Sequence, residues 1–197
     1  MKRNTSKPSA TKRGTGLPRR ALAHPSLRCV ISQKQIQKRV VELAKQIDHD
    51  YQGRTLHVVG VLDDCFVFVA DLIRCLKTPV VCHFMNAVMR DTLTGPVAMR
   101  EITYTPRVEA AGHDVLLVNG ILHTGLTLDY LYRYILGQSP TSIRTLSFIE
   151  VTGARKVDVS ADYVGFKSKE GFLVGYGLGY GENYRNLPFV ARLARVA

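Results

Sequence analysis

The sequence predicts an α/β fold, a doubly wound parallel sheet with a small hood, and three observations carry that reading. Val115 to Val118 is an unbroken apolar run, the mark of a strand buried on both faces, and it leads through a short polar loop into an apolar helix. Strand-like and helix-like runs alternate from Thr55 to Glu150, the rhythm of parallel strands joined by crossover helices. The last stretch breaks that rhythm: Gly171, Gly175, Gly177, Gly179 and Gly181 punctuate short strands, and these are expected to form the hood.

The elements follow in order. Ser32 is the expected N-cap of a helix running to about His49, in which Ile36, Val40, Leu43 and Ile47, spaced four, three and four apart, build one apolar face. Thr55 to Leu62 reads as the first core strand, Phe66 to Leu76 as the first crossover helix and Pro79 to Phe84 as the next parallel strand. Asn86 to Thr105 has no clear period and contains Asp91, Thr92, Thr94, Gly95 and Pro96, which predicts a lid hairpin or mobile loop. The central strand at Val115 to Val118 precedes a helix from Leu126 to Leu136. The turn Gly137-Gln138-Ser139-Pro140 then leads to a strand from Ile143 to Glu150. In such a sheet, ligands sit at the carboxyl ends of the strands, which is where Asp63, Asn119 and His123 are expected to line one pocket.

Charge divides the chain. Eleven bases, from Lys2 to Arg39, precede the first acid, Glu42; beyond that point sixteen bases face sixteen acids, so the whole formal charge of +11 belongs to the first 41 residues. Residues 1 to 26 mix those bases with Ser, Thr, Gly and Pro and read as a basic disordered tail, leaving residues 27 to 197 as one domain. Three roles are open for the tail: a solvated extension, an arm that binds RNA or DNA weakly through phosphates, or an organelle import segment. No aromatic residue interleaves its bases, which argues against base stacking. No apolar run approaches the ~18 residues that span a bilayer, so no membrane association is expected and a cytoplasmic location fits. Cys29, Cys65, Cys75 and Cys82 have no metal-ligand spacing, and the apolar surroundings of three of them predict small buried side chains.

The chemistry concentrates in Val115 to Leu128, V-L-L-V-N-G-I-L-H-T-G-L-T-L. A strand, a tight Thr/Gly loop and a helix N-terminus make a phosphate cradle: loop amides and the helix dipole attract the anion, and the Thr124 and Thr127 hydroxyls add donors. Turns of this composition also occur without a ligand. The segment resembles the ribose-phosphate signature of type I phosphoribosyltransferases, and most closely that of the hypoxanthine-guanine phosphoribosyltransferases of purine salvage. The resemblance continues through Val58-Val59-Gly60-Val61-Leu62 with Cys65 to Leu72, which looks like the family's first strand and helix. Ala161 to Phe166 and Phe172 to Leu178 look like its purine-binding hood, and Tyr184-Arg185-Asn186-Leu187-Pro188 looks like its closing segment. It spans roughly residues 30 to 192.

Carried over position by position, the resemblance implies phosphate binding by Thr124, Gly125 and Thr127, purine binding by Phe172 and Leu173, and a pyrophosphate side at Asp63, Asp64 and Arg185. Phe172 reads equally as a core aromatic, and Arg185 as a solvated or ion-paired structural residue. The family's acidic pair, which holds ribose hydroxyls and magnesium, falls at Asn119 and Gly120, and its purine-contacting lysine falls at Val151. The aspartate for a second magnesium falls at Gly179, and the loop aspartate that handles the purine proton falls at His123. An imidazole titrates near neutral pH and is the one candidate catalytic group, although a loop histidine more often serves as a hydrogen-bonding residue. Leu62-Asp63-Asp64 replaces a Leu-Lys-Gly loop. Two unit charges about 5 Å apart repel by roughly 3 kcal/mol at an effective dielectric of ~20, so two carboxylates there oppose a polyanion.

These departures predict a homologue that has lost catalysis and binds a nucleotide or a protein partner, with no cofactor and no metal. The alternatives are an active, magnesium-dependent salvage enzyme for hypoxanthine or guanine, and a nucleic-acid-binding regulator on the same fold. The expected ligand is a nucleoside monophosphate or another phosphate. The expected assembly is a homo-oligomer, or a hetero-oligomer with an active paralogue.

Overall fold

The computed structural model describes residues 27–86, 108–169, 172–180 and 183–193. The basic tail lies outside them, as does the expected lid apart from Asn86. Five parallel strands form the main sheet in the order β3-β2-β4-β5-β6: β2 is Leu56–Leu62, β3 Val80–Asn86, β4 Asp114–Leu122, β5 Ser142–Val151 and β6 Tyr163–Ser168. The central strand runs on through Asn119 and Gly120 to Leu122, because β5 pairs with it as far as Leu122↔Glu150.

Helices cover both faces, as the alternating pattern requires. α1 (Gln33–Asp50) starts at Ser32 with a reciprocal capping box to Gln35, and buries Ile36, Val40, Leu43, Ala44 and Ile47. With α2 (Phe66–Cys75) it packs on the face that carries Val58, Leu116, Val118 and Phe148. α3 (Leu126–Leu136) packs Leu128, Leu131 and Ile135 on the opposite face, against Val59, Val61, Val115 and Leu117. Successive residues of β4 thus feed opposite cores, which explains why its run is apolar at every position.

The hood is a separate three-stranded antiparallel sheet in the order β1-β8-β7, with β1 at Leu27–Ile31, β7 at Leu173–Val174 and β8 at Val190–Leu193. Two expectations change here. β1 adds a strand that the sequence pattern does not predict, and Ala161 to Phe166, read as hood, instead contributes the edge strand β6 of the main sheet. An aromatic cluster joins the two sheets, the Phe148 ring meeting Phe68 at 4.8 Å and Tyr176 at 5.1 Å between centroids. The Tyr176 hydroxyl donates to Asp71 on α2 at 2.6 Å, fixing the hood over the strand ends.

At the other end of the sheet, the Tyr163 hydroxyl and Arg144 both donate to Asp50 at 2.6 Å, clasping the last turn of α1 to β5 and β6. The hydrogen bond from Tyr163 is the main cause holding the Asp50 carboxyl below its ordinary range. The cysteines are all free. Cys65 is buried and Cys82 half-buried, but Cys29 and Cys75 are exposed, because position on the strand or helix overrides apolar neighbours.

Candidate functional site

The carboxyl ends of β2 and β4 and the start of α3 enclose a cavity of about 230 Å³. Leu62, Asp64, Asn119, Gly120, His123, Thr124, Gly125 and Thr127 line it. Asn119, His123 and the Thr/Gly loop therefore meet in one pocket as expected. Asp63 does not: its neighbour Asp64 takes the lining position, while the Asp63 carboxylate lies 3.7 Å from the Arg185 guanidinium. The Leu62–Asp63 peptide bond is cis.

The loop is shaped from behind. Arg155 donates to the carbonyls of Leu122 at 3.0 Å, His123 at 2.7 Å and Val159 at 3.1 Å, and its other nitrogen pairs with Glu150 at 2.7 Å. The Lys156 N–H takes the Thr124 carbonyl at 2.9 Å. Three successive carbonyls are thus held, and the Leu126 N–H is taken by the Thr124 hydroxyl oxygen at 3.5 Å, which leaves the first-turn amides of Thr127 and Leu128, both lining residues, as the donors of α3 without an intrahelical partner. Gly125 is the N-cap of α3 at φ +86°, and a Cβ there would lie 2.5 Å from a Val159 methyl. Only glycine meets both the conformation and the close approach. Arg155 does not stand out in the sequence; Glu150 five residues before it is the one local sign of its role.

On the cavity floor, Asn119 Oδ1 accepts from the Ser147 hydroxyl at 2.6 Å, which turns its amide nitrogen, a donor, away from that contact. Gly120 sits under the turn after β2: a Cβ at 120 would be 2.7 Å from both Cβ and the backbone oxygen of Asp64. Asp64 is bound in turn by Arg185 at 2.6 Å, and the same guanidinium nitrogen donates to the Gly177 carbonyl at 2.7 Å. A Cβ at Gly179 would be 2.7 Å from the guanidinium carbon of Arg185. Cys65, beside this turn, is inert: burial pushes its thiol up to about 12.

The remaining expected residues divide. His123 is exposed at the cavity mouth. Phe172 is half exposed and meets Tyr180 edge to face at 5.1 Å, so its ring is presented rather than buried. Leu173 beside it is buried and packs in the core with Tyr176 and Val190. Val151 ends β5 and is buried.

The carboxylates near the cavity are few. Asn119, Gly120 and Gly179 offer no carboxylate, Asp63 and Asp64 face Arg185, and among the described residues no group of three or more His, Cys, Asp or Glu converges. No described helix is long and apolar enough to cross a membrane.

Known proteins resemble this chain in sequence and fold. A family model described as the phosphoribosyl transferase domain matches residues 32–180. The hypoxanthine-guanine phosphoribosyltransferase of Bacillus subtilis is 34% identical over 172 residues, 87% of this chain and 96% of that protein. That of Aquifex aeolicus is 38% identical over 165 residues, 83% of this chain and 93% of that protein. Among solved structures, a hypoxanthine-guanine phosphoribosyltransferase from Bacillus anthracis superposes with a TM-score of 0.78 at 36% identity, covering 84% of this chain and 97% of its own. A hypoxanthine phosphoribosyltransferase from Trypanosoma cruzi, solved as a ternary substrate complex, gives 0.80 at 32% identity over 86% and 97%.

Proposed function

Because this chain belongs to the phosphoribosyltransferase family, we propose that it acts in purine salvage, joining hypoxanthine or guanine to the phosphoribosyl group of phosphoribosyl pyrophosphate. One observation carries the reading: the loop from His123 to Thr127 is held with its carbonyls outward by Arg155 and Lys156, in a chain collinear with salvage enzymes over most of its length. In this reading the ribose 5′-phosphate rests on Thr124, Gly125 and Thr127, and the purine stacks on the presented ring of Phe172. The bond from ribose to pyrophosphate breaks, a purine nitrogen takes its place, and the proton on that nitrogen is accepted at His123 or by water. The relatives are named as enzymes, so they support this reading more directly than a catalytically silent one.

A second reading, nucleotide binding without turnover, is favoured by the missing acids at Asn119, Gly120 and Gly179. Loss of one group that stabilises a transition-state charge costs about 10²-fold or more, so turnover is expected well below that of the relatives. The test is purine-dependent pyrophosphate release, alongside calorimetry with inosine monophosphate. Slow turnover with binding supports salvage; binding with no turnover selects the second reading. No binding at millimolar nucleotide, or affinity untouched by Thr127→Ala, refutes the cradle itself.

A further inference from the structure

The charge that the tail leaves behind is not spread over the fold. The net +11 falls to +4 without residues 1 to 26, and from Glu42 onward bases and acids balance, so the excess belongs to Arg28, Lys34, Lys38 and Arg39. All four lie on β1 and the first half of α1. Lys45 continues the pattern. Lys34, Lys38 and Lys45 are exposed, and at about 3.6 residues per turn they fall within about 40° of one another around the axis, along about 16 Å of helix. Glu42 is the one acid between them in the sequence, and it is engaged by Arg39 at 3.1 Å and Lys38 at 3.9 Å. On the hood, Arg28 stands opposite Arg192 in the β1–β8 register, and both are exposed near the point where the tail joins the fold. The first turn of α1 carries Lys34 and no acid, although the positive end of the helix dipole favours an acid there.

We propose that the ridge from Arg28 through Lys34, Lys38 and Lys45 is a docking surface for the phosphodiester backbone of RNA or DNA, and that the basic tail extends it. The inference stands apart from the salvage reading, since none of these residues lines the phosphate cavity. Duplex phosphates recur about every 3.4 Å per strand along the axis, so roughly five lie within the ridge's span of about 16 Å. A lipid surface fits less well. The apolar face of α1 is buried in the core, Val41 is its one large exposed hydrophobic residue, and nothing is left to enter a bilayer. Bases are not read either, because α1 has no Phe, Tyr or Trp on which they could stack. Phosphate contacts position a protein without carrying sequence information, so the attachment is salt-sensitive and sequence-independent. It differs from the tail in that the folded helix fixes the spacing of its cations.

The experiment measures binding of the full chain to a short DNA duplex and to an unstructured poly-uridine strand across a salt series. Lys34→Gln combined with Lys45→Gln removes two phosphate contacts. The log-log salt slope is then expected to fall by about 1.8 on the duplex and about 1.4 on the single strand. Arg133→Gln, on α3 across the sheet, removes one charge as Lys45→Gln does, and is expected to leave the slope unchanged. Lys34→Glu separates binding from folding: it supplies the missing first-turn acid and a partner for Lys38 one turn on, so its Tm is expected to hold or rise while its affinity falls. An unchanged slope in the double variant assigns the binding to the tail alone, and a fall with Arg133→Gln equal to that with Lys45→Gln assigns it to net charge; either overturns the proposal. Binding to anionic lipid vesicles with none to either nucleic acid overturns it too, as does no binding at low salt. If Lys34→Glu lowers the Tm, the double glutamine variant decides alone.

Discussion

Gly125→Ala isolates the geometry on which the cradle depends. The residue sits at φ +86°, and its new Cβ would meet Val159 at 2.5 Å and Val157 at 3.0 Å. An alanine in the left-handed region costs about 1–2 kcal/mol, and forcing a methyl into packed side chains about 1–3 kcal/mol more, so about 2–5 kcal/mol in all. Gly112→Ala is the matched control, with φ +72° and nothing within 4 Å of the new methyl, so it bears the backbone cost alone, about 1–2 kcal/mol. For a chain of this size, 1 kcal/mol lowers the Tm by roughly 2–4 °C, so thermal unfolding followed by circular dichroism resolves the two variants. Gly125→Ala should also lose inosine monophosphate binding, whereas Gly112→Ala should retain it. A double-mutant cycle with Val159→Ala should show a coupling above about 0.5 kcal/mol, because the clash needs both side chains. Equal destabilisation by the two alanines, or an additive cycle, would refute the steric account of the loop.

Arg155→Met should cost about 1–3 kcal/mol and weaken nucleotide binding several-fold, since the Leu122 and His123 carbonyls of the loop, the Val159 carbonyl and Glu150 lose their common donor; chemical denaturation and calorimetry together check it. His57 is buried and stacked 4.0 Å from His113 and 5.7 Å from His83; burial first, then those two neighbours, lower its pKa below the ordinary 6.5. The unfolded chain therefore takes up the proton more readily, so stability is full above pH 6.5 and declines as pH falls below it, before the carboxylates titrate near ~4. His57→Phe should flatten that slope in melts run across pH, and an unchanged slope would exclude His57 as its source. Deleting residues 1 to 26 removes seven bases and lowers the formal charge from +11 to +4. The truncated protein should lose most of its salt-sensitive nucleic-acid retention and keep its thermal transition; equal binding by both forms would remove the tail from that role.

The elements most legible in the sequence are those whose burial has a period. The four-three-four spacing from Ile36 to Ile47 places α1 correctly, and the run at Val115 identifies a strand buried on both faces. β1 is not legible because Leu27–Ile31 carries an arginine and an exposed cysteine, and its pairing with β8 joins the two ends of the described chain. The segment from Ala161 to Phe166 reads as a strand either way; which sheet it joins depends on Leu146 and Ser147 of β5, and propensity does not encode a neighbour. At the site, residue types locate the cavity but not the direction of each side chain. The turn after β2 offers two adjacent carboxylates, both within reach of Arg185, and backbone geometry alone makes Asp64 and not Asp63 the one that lines the cavity. Arg155 is invisible for the same reason, since its acceptors are backbone carbonyls more than thirty residues earlier as well as nearby.

The fold and the site can diverge at different rates because different residues hold them. The interior of the sheet depends on Val58, Leu116, Val118 and Phe148 on one face and Val59, Val115 and Leu117 on the other, and none of these is itself a lining residue of the cavity. The strand ends are coupled in sets instead. An aspartate at position 120 meets the Asp64 backbone oxygen at 2.7 Å, so truncating the Asp64 side chain does not make room; the whole turn after β2 has to move. An aspartate at 179 displaces Arg185, which releases Asp64 and removes the donor from Gly177. A lysine at Val151, only 3% exposed, buries a charge without a partner in view. Placing acids at these positions one at a time therefore passes through clashes and unpaired charges, while in the present set Gly120 leaves room for Asp64 and Gly179 for Arg185, which pair at 2.6 Å.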